Sequence, residues 1–546
     1  MKFIIGLLAS ASLSCFANTT VIYNVNGYTP TYKGDTKQFS TLVIKDGKVV
    51  KTGNDSLKAS YPDATALDGE QATLLPGLMD AHGHVIGLGN NLSQLDVRNT
   101  RSVDEVGKKL AEFAKDKQGW IIGRGWNQEQ WPGAQFPTAA DLDRYVKDKP
   151  VVLSRVDGHA VWVNSKAMAL AGIEKDTRSP AGGEILKLDS GLASGVFIDK
   201  AETLITQHVP KASHASINTA LDNAGKHLLS LGITSTHDAG IDYDTWQVYK
   251  ERAEQGTLPL RIVAMLSASD PKLDTMLKAG RYKDMHDYMS IRSVKVYADG
   301  ALGSRGAALI DEYADRKNYH GLMLETQQKL EQLFTLSFEN GFSANTHAIG
   351  DKANRIVLDA YEKVFKKSGG ILLRNRIEHA QIVTPDDIPR FKSLKIIPSM
   401  QPVHATSDMH MAEQRLTDKQ LTGAYAWKTF LEQGSIVAAG SDFPVELADP
   451  FDGLYSAITR MDHNQLPKGG WRPKELLSRD EALRAFTLGG AYAAHQEFKL
   501  GSLEQGKWAD FILINKDYFT VPVSQIHDIK VKQTWIGGEL KYQQEH

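Results

Sequence analysis

The chain has 546 residues, 42% of them hydrophobic and 23% charged, long enough for a large core plus an accessory domain and ordinary for a soluble globular protein. Lys+Arg 63 against Asp+Glu 65 leaves a formal charge of -2, so no global field favours nucleic acid or an anionic membrane as partner. No apolar run beyond the N-terminus is long enough to form an integral membrane segment.

In chain order, the first element is Met1-Lys2 followed by an apolar stretch to Leu13, ending at Cys15-Phe16-Ala17. A basic start, a short apolar core and small residues at the tripeptide's ends read as a signal peptide, 1–17, cleaved after Ala17. The expected location is therefore periplasmic. Cys15 is the sole cysteine, so the mature chain needs no disulfide; lipid anchoring at Cys15 fits Ser12-Leu13-Ser14 poorly. Strands 41–44 and 48–51 flank Asp46-Gly47, a two-residue hairpin signal. The C-terminus repeats the style, with a strand at 511–514 and strands 533–536 and 539–542 around Gly537-Gly538. Two β-rich ends suggest one small β-sandwich domain made from 18–73 and 498–546, or else independent caps.

Between them, apolar strand runs alternate with helical stretches, at 74–80, 233–237, 262–266, 294–297, 343–347, 376–379, 396–400 and 436–440. Eight is the number a closed (β/α)8 TIM barrel needs, here spanning 74–99 and 216–497. A further strand-like run, 151–155, does not fit the count and lies in a gap too long for one crossover helix. Residues 100–215 are expected to be an insertion subdomain after strand one, projecting over the barrel mouth. Helical spacing over 218–231 stops at Gly232, and over 326–340 at Gly341.

The chemistry concentrates at the strand ends. His82 and His84, spaced i, i+2, share one face of the first strand. Lys295 sits in the apolar fourth strand, His347 closes the fifth, His379 closes the sixth and Asp442 follows the eighth. Each alone has a plain explanation: a core histidine, or an Asx turn at Asp442. Lys295 is harder to explain so, because burying an ammonium without a partner is costly. It either pairs with Asp299 or is chemically altered. Alternation along the sixth strand would point Glu378 away from His379, into helix packing.

This set resembles the amidohydrolase superfamily of metal-dependent hydrolases. The wording is closer to amidohydrolase family 3, the YtcJ-like branch, in Gly123-Arg124-Gly125-Trp126, Asp157-Gly158-His159-Ala160, Val163-Asn164-Ser165, Gly182-Gly183-Glu184, His237-Asp238-Ala239-Gly240, Ala298-Asp299-Gly300-Ala301-Leu302-Gly303-Ser304-Arg305 and Gly440-Ser441-Asp442-Phe443-Pro444. The resemblance implies two divalent metal ions, most often Zn2+. His82 and His84 would hold the more buried ion with Asp442 close by, and His347 and His379 the other. Lys295, carbamylated by carbon dioxide, would bridge them. It further implies that a metal-activated hydroxide attacks a carbon–nitrogen, amide-type bond of a small molecule, with Asp442 as general base and then acid.

Trp126, Gln128, Asp157, His159, His237 and Arg305 lie in the family-like loops. Arg305 can clamp a substrate carboxylate or tie down the loop after strand four; His159 and His237 can line the pocket or orient neighbours. His404, just after strand seven, is placed to hydrogen-bond a developing oxyanion. Trp126, Trp131 and Trp162 make an aromatic wall or a core of the insertion. Dipeptides, N-acyl amino acids, cyclic amides and esters suit the same site, and a homodimer is left open. A non-catalytic binding or regulatory protein keeping the fold is the reading from another class, but all six ligand positions hold competent residues. No Gly-x-Gly-x-x-Gly opens a helix after a strand, which argues against a dehydrogenase.

Overall fold

The computed structural model describes residues 19–155, 160–180, 183–210 and 213–545; the segment read as a signal peptide, and Asp157 and His159, lie outside the described residues. Two compact units divide the chain, one running to His84 and resuming at Lys226–His546, the other Val85–Gly225. Among the described residues no helix is long and apolar enough to cross a membrane.

The first unit contains a (β/α)8 barrel. Its strands are Leu78–Gly83, Ile233–Ile241, Arg261–Ser267, Met289–Tyr297, Ser343–Ala348, Arg376–His379, Ile397–Met400 and Ala438–Ala439. Each pairs in parallel with the next. The ring closes where Asp442 N–H donates to His82 O and His84 N–H to Phe443 O, both at 2.7 Å. Helices follow the strands as the βαβ rule requires. Gln327–Glu339, for example, is capped by Thr326, whose side chain accepts from Lys329 N–H. It stops before Gly341, whose φ of 77° suits a residue without a Cβ.

The first strand is a correction. The run 74–80 reads as continuous, yet Thr73–Pro76 pairs antiparallel with Phe511–Ile514 in another sheet, and only Leu78–Gly83 joins the barrel. Gly77 is the break, because a Cβ there would lie 2.2 Å from Thr234 Oγ1. The chain ends form two sheets. One is ordered Lys48–Gly53, Thr41–Lys45, Thr19–Tyr23, Thr65–Asp68. The other runs Glu539–Gln543, Val531–Ile536, Phe511–Ile514, Thr73–Pro76, Asn26–Pro30, Thr36–Phe39. Ile22, Leu42, Ile44, Leu74, Phe511 and Trp535 from both sheets share one core, the sandwich arrangement.

The second unit, by itself, is a six-stranded sheet with Val151–Arg155 in its interior, parallel to Ile121–Trp126 and antiparallel to Ala160–Val163. Period 2 sends Val151 and Leu153 into a cluster with Trp126, Trp131 and Trp162, and Val152 into a second cluster with Val161 and Phe197. Trp126 is fully buried and donates from Nε1 to Leu153 O at 2.7 Å, so it takes the core-packing alternative rather than offering an open face. Gln128 is buried too, its Oε1 accepting from Arg155 Nε at 2.9 Å.

Candidate metal centre

The strand ends bring His82, His84, Lys295, His347, His379 and Asp442 into one cluster. His82 Nε2 lies 3.2 Å from Lys295 Nζ and 3.5 Å from Asp442 Oδ1, while His84 Nε2 is 3.2 Å from the same oxygen. Ring centroids separate His82 from His379 by 4.9 Å and His379 from His347 by 4.5 Å. Among the described residues, ligand atoms of His82, His379 and Asp442 all lie within 4.8 Å of one another, so they face a common space where metal could be held.

What orients these rings lies beneath them. His82 Nδ1–H donates to Glu378 Oε2 at 2.5 Å, and His379 Nδ1–H to Gln401 Oε1 at 2.8 Å, which leaves both Nε2 atoms for the cluster. A hydrogen bond on the second nitrogen is the usual partner of a metal-binding imidazole. His347 Nε2 is buried and, among the described residues, lacks a hydrogen-bond partner, with Asp299 Oδ1 3.6 Å away. Burial, with the nearby Lys295 charge, pushes His82 down to about 4 and His347 to about 3, and burial holds His379 well below the ordinary range. All three are therefore neutral donors at physiological pH, as metal binding requires. Burial also pushes the Lys295 amine down to about 8, so part of it is uncharged and nucleophilic near neutrality.

Glu378 corrects the expectation of a helix-facing side chain. His379 leaves the β conformation at φ 72°, and Ala380 follows at 43°, so alternation does not carry through the strand end. Glu378 instead points into the barrel, where Arg376 meets it at Nε–Oε1 2.7 Å and Nη2–Oε2 2.9 Å. Burial alone would raise its pKa, but the Arg376 charge and His82 hold it well below the usual carboxylate range. Arg376 also donates to Ala81 O at 2.5 Å, Ser399 Oγ at 2.7 Å and His237 Nδ1 at 2.7 Å. A guanidinium only donates, so the His237 proton sits on Nε2. His237 thus belongs to the buried layer under the cluster, fully out of solvent.

Two further carboxylates brace the strand ends. Asp80 accepts from His82 N–H at 3.0 Å and from Ser441 N–H and Oγ–H at 3.0 and 2.7 Å, joining the first strand to the eighth; burial pushes it up to about 7. Asp299 accepts from the N–H groups of Ala308, Ile349 and Gly350 at 2.9, 2.9 and 2.8 Å. It anchors the loop after strand four and does not pair with Lys295. Within that loop Arg305 pairs with Asp315 at 2.6 Å, the loop-tying alternative. His404 comes in from the helix Pro402–Arg415, with Nε2 3.4 Å from Asp442 Oδ2. Burial opposes its charge, but hydrogen bonds to Asp442 and Glu446 outweigh that and raise it to about 10. Asp442 is correspondingly held well below the carboxylate range, against burial, by His404 and His84.

A closed parallel barrel with neutral imidazoles, a lysine and a carboxylate at its strand ends defines the class of barrel hydrolases that hold a metal at that face. Residues 65–542 match the amidohydrolase family, and the chain belongs to it. It is 32% identical over 526 residues to the protein named "Putative amidohydrolase YtcJ" of Bacillus subtilis, covering 94% of this chain and 98% of that one. It is 24% identical to the N-substituted formamide deformylase of Arthrobacter pascens, over 92% of this chain and 94% of that one. A solved metal-dependent hydrolase of Pyrococcus horikoshii superposes with a TM-score of 0.79 at 25% identity, covering 93% of this chain and 99% of that one.

Proposed function

We propose that this protein is an exported, metal-dependent hydrolase that cleaves an amide-type carbon–nitrogen bond, other than a peptide bond, in a small molecule. The observation that carries the reading is the Asp442 carboxylate held between His82, His84 and His404 at 3.2–3.5 Å in a buried cluster. The similarity to a protein named for deformylating N-substituted formamides supports a carbon–nitrogen bond as the target.

His82, His84 and Asp442 would hold one divalent ion and His347 and His379 a second, with nitrogen and oxygen donors that suit zinc. The neutral Lys295 amine would add carbon dioxide, releasing a proton and becoming an anionic carbamate with two oxygens for both ions. When bound, such ions lower the pKa of water and polarise a carbonyl. Asp442 takes the proton of the attacking water and returns it to the departing nitrogen, as general base and then acid. His404 Nε2 faces the same carboxylate and can hydrogen-bond the oxyanion. Glu378 and Gln401 hold the histidines in the required tautomer. Small molecules are the substrates; the cleaved leader, residues 1–17, would direct the enzyme to the periplasm.

The test is metal quantification of purified protein together with hydrolysis of an amide and N-acyl panel before and after chelation. Two tightly held metals and chelator-sensitive hydrolysis are expected. Asp442→Asn is expected to lower turnover by 100-fold or more, roughly the general acid–base contribution, while most of the metal stays bound. Metal-free protein inert toward the whole panel would overturn the reading. Equal loss of metal and turnover in Asp442→Asn would make Asp442 a structural ligand only.

A further inference from the structure

We propose that Glu446 is a positioning residue for this reaction, acting on Asp442 through His404. The proposal rests on the hydrolase reading above but concerns a residue outside the ligand set. His404 Nδ1 lies 3.2 Å from Glu446 Oε1, and its Nε2 lies 3.4 Å from Asp442 Oδ2. Three side chains therefore stand in line across the ends of the seventh and eighth strands.

Glu446 lies in the segment after the eighth strand, where its neighbours Val445 and Leu447 are 65% and 60% exposed. The Glu446 side chain is only 21% exposed and turns inward between them. A carboxylate drawn out of water needs donors. Ser407, one turn along the helix from His404, supplies one from Oγ at 2.5 Å, and His404 supplies the other. A carboxylate faces each ring nitrogen, so both donate, and the ring cannot flip without breaking the Nδ1–H bond to Glu446. Nε2 is then committed to the reacting side.

The two oxygens of Asp442 consequently have different company. Oδ1 faces His82 and His84 at 3.5 and 3.2 Å, and Oδ2 faces His404 alone among these rings. The Glu446–His404 pair thus sets the rotation of the Asp442 carboxylate. It leaves Oδ1 toward the cluster while Oδ2 is held from the opposite side. Misrotation of a proton carrier by even an ångström is costly to turnover and nearly free for substrate affinity.

The experiment compares wild type, Glu446→Ala, Glu446→Gln, His404→Asn and Glu446→Ala/His404→Asn. We expect Glu446→Ala to lower kcat by about 10–100-fold, the range for residues that orient an active-site ligand, with KM and metal content little changed. Glu446→Gln keeps an acceptor and should recover part of the loss. The double variant should be no slower than His404→Asn, because Glu446 acts only through His404. Selective 15N labelling of histidine gives a readout independent of turnover: the wild-type His404 Nδ1–H should show the downfield proton shift of a hydrogen bond to a carboxylate, and Glu446→Ala should abolish it. Unchanged kcat in Glu446→Ala, or losses that multiply in the double variant, overturns the proposal. Should the wild type hydrolyse nothing in the amide panel, the hydrolase reading fails separately, and the 15N-edited signal decides alone: an Nδ1–H shift indifferent to Glu446→Ala ends the positioning role.

Discussion

At the scale of single residues, the centre depends on groups that never reach its surface. Glu378 is the clearest. It accepts the Nδ1–H of His82 and neutralises Arg376, both fully buried. Glu378→Gln should therefore act twice. Losing the charge leaves Arg376 buried and uncompensated, a cost of about 3–5 kcal/mol. Losing the acceptor of fixed polarity lets His82 turn, which should weaken metal affinity by about 10–100-fold. Denaturant unfolding and chelator-competition titration read the two effects separately; full metal affinity in a folded variant would reduce Glu378 to a counter-ion of Arg376. The six candidate ligands were legible because five close or follow an apolar run and the sixth, Lys295, interrupts one. Glu378 was not, since the left-handed backbone at His379 breaks the alternation by which faces are read. Asp80 shares the His82 face by that same alternation, so its place beneath the cluster is marked in the sequence. Glu446 sits in a loop, where no periodicity marks which side chains turn inward.

At the scale of elements, the first barrel strand shows how a boundary hides inside a hydrophobic run. Thr73–Pro76 and Leu78–Gly83 are both buried throughout, so composition does not separate them. Only Gly77 does, and its role is space: the Thr234 side chain occupies the place of its missing Cβ. Gly77→Val should force the Thr73–Pro76 and Leu78–Gly83 segments apart from the second strand, with a loss of about 1–3 kcal/mol, the usual cost of overpacking. The strain falls at the barrel end remote from the His82 pair, so equilibrium unfolding should record it while metal content stays intact. Wild-type stability in that variant would mean the junction gives way without resistance. The other strands were found within a few residues because parallel barrel strands are buried on both sides and read as short apolar blocks. Some ran further than the blocks, as at Ile233–Ile241, because Asp238 and Gly240 carry no apolar signal, while the eighth, Ala438–Ala439, is shorter than its apolar block.

At the scale of the whole molecule, the sandwich and the barrel of the first unit are joined by buried charge. Arg261, opening the third strand, pairs with Asp510 at 2.6 Å, both almost out of solvent. Nearby, Asp287 accepts from Lys283 and Lys499 at 2.7 and 2.9 Å and from Trp508 Nε1 at 2.8 Å. Two β-rich ends made the existence of the sandwich legible, but partners such as Asp287 and Lys499 are so far apart in the chain that no local pattern announces them. Asp287 gives this junction a pH dependence whose sign can be worked out. Burial raises its pKa, but the hydrogen bonds from Lys283, Trp508 and Lys499 outweigh burial and hold it below the ordinary 3.8. A depressed carboxylate contributes stability above its unfolded pKa and loses it as pH falls through the folded value. Asp287→Asn should thus cost about 1–3 kcal/mol at pH 7, the scale of hydrogen bonds to a charged group. The gap from wild type should stay constant down to roughly pH 5 and close below about pH 4, where the unfolded aspartate protonates first. Urea unfolding of both proteins across that range measures the gap directly. A difference that persists unchanged at acid pH would place the effect in packing around Trp508 and not in the carboxylate charge.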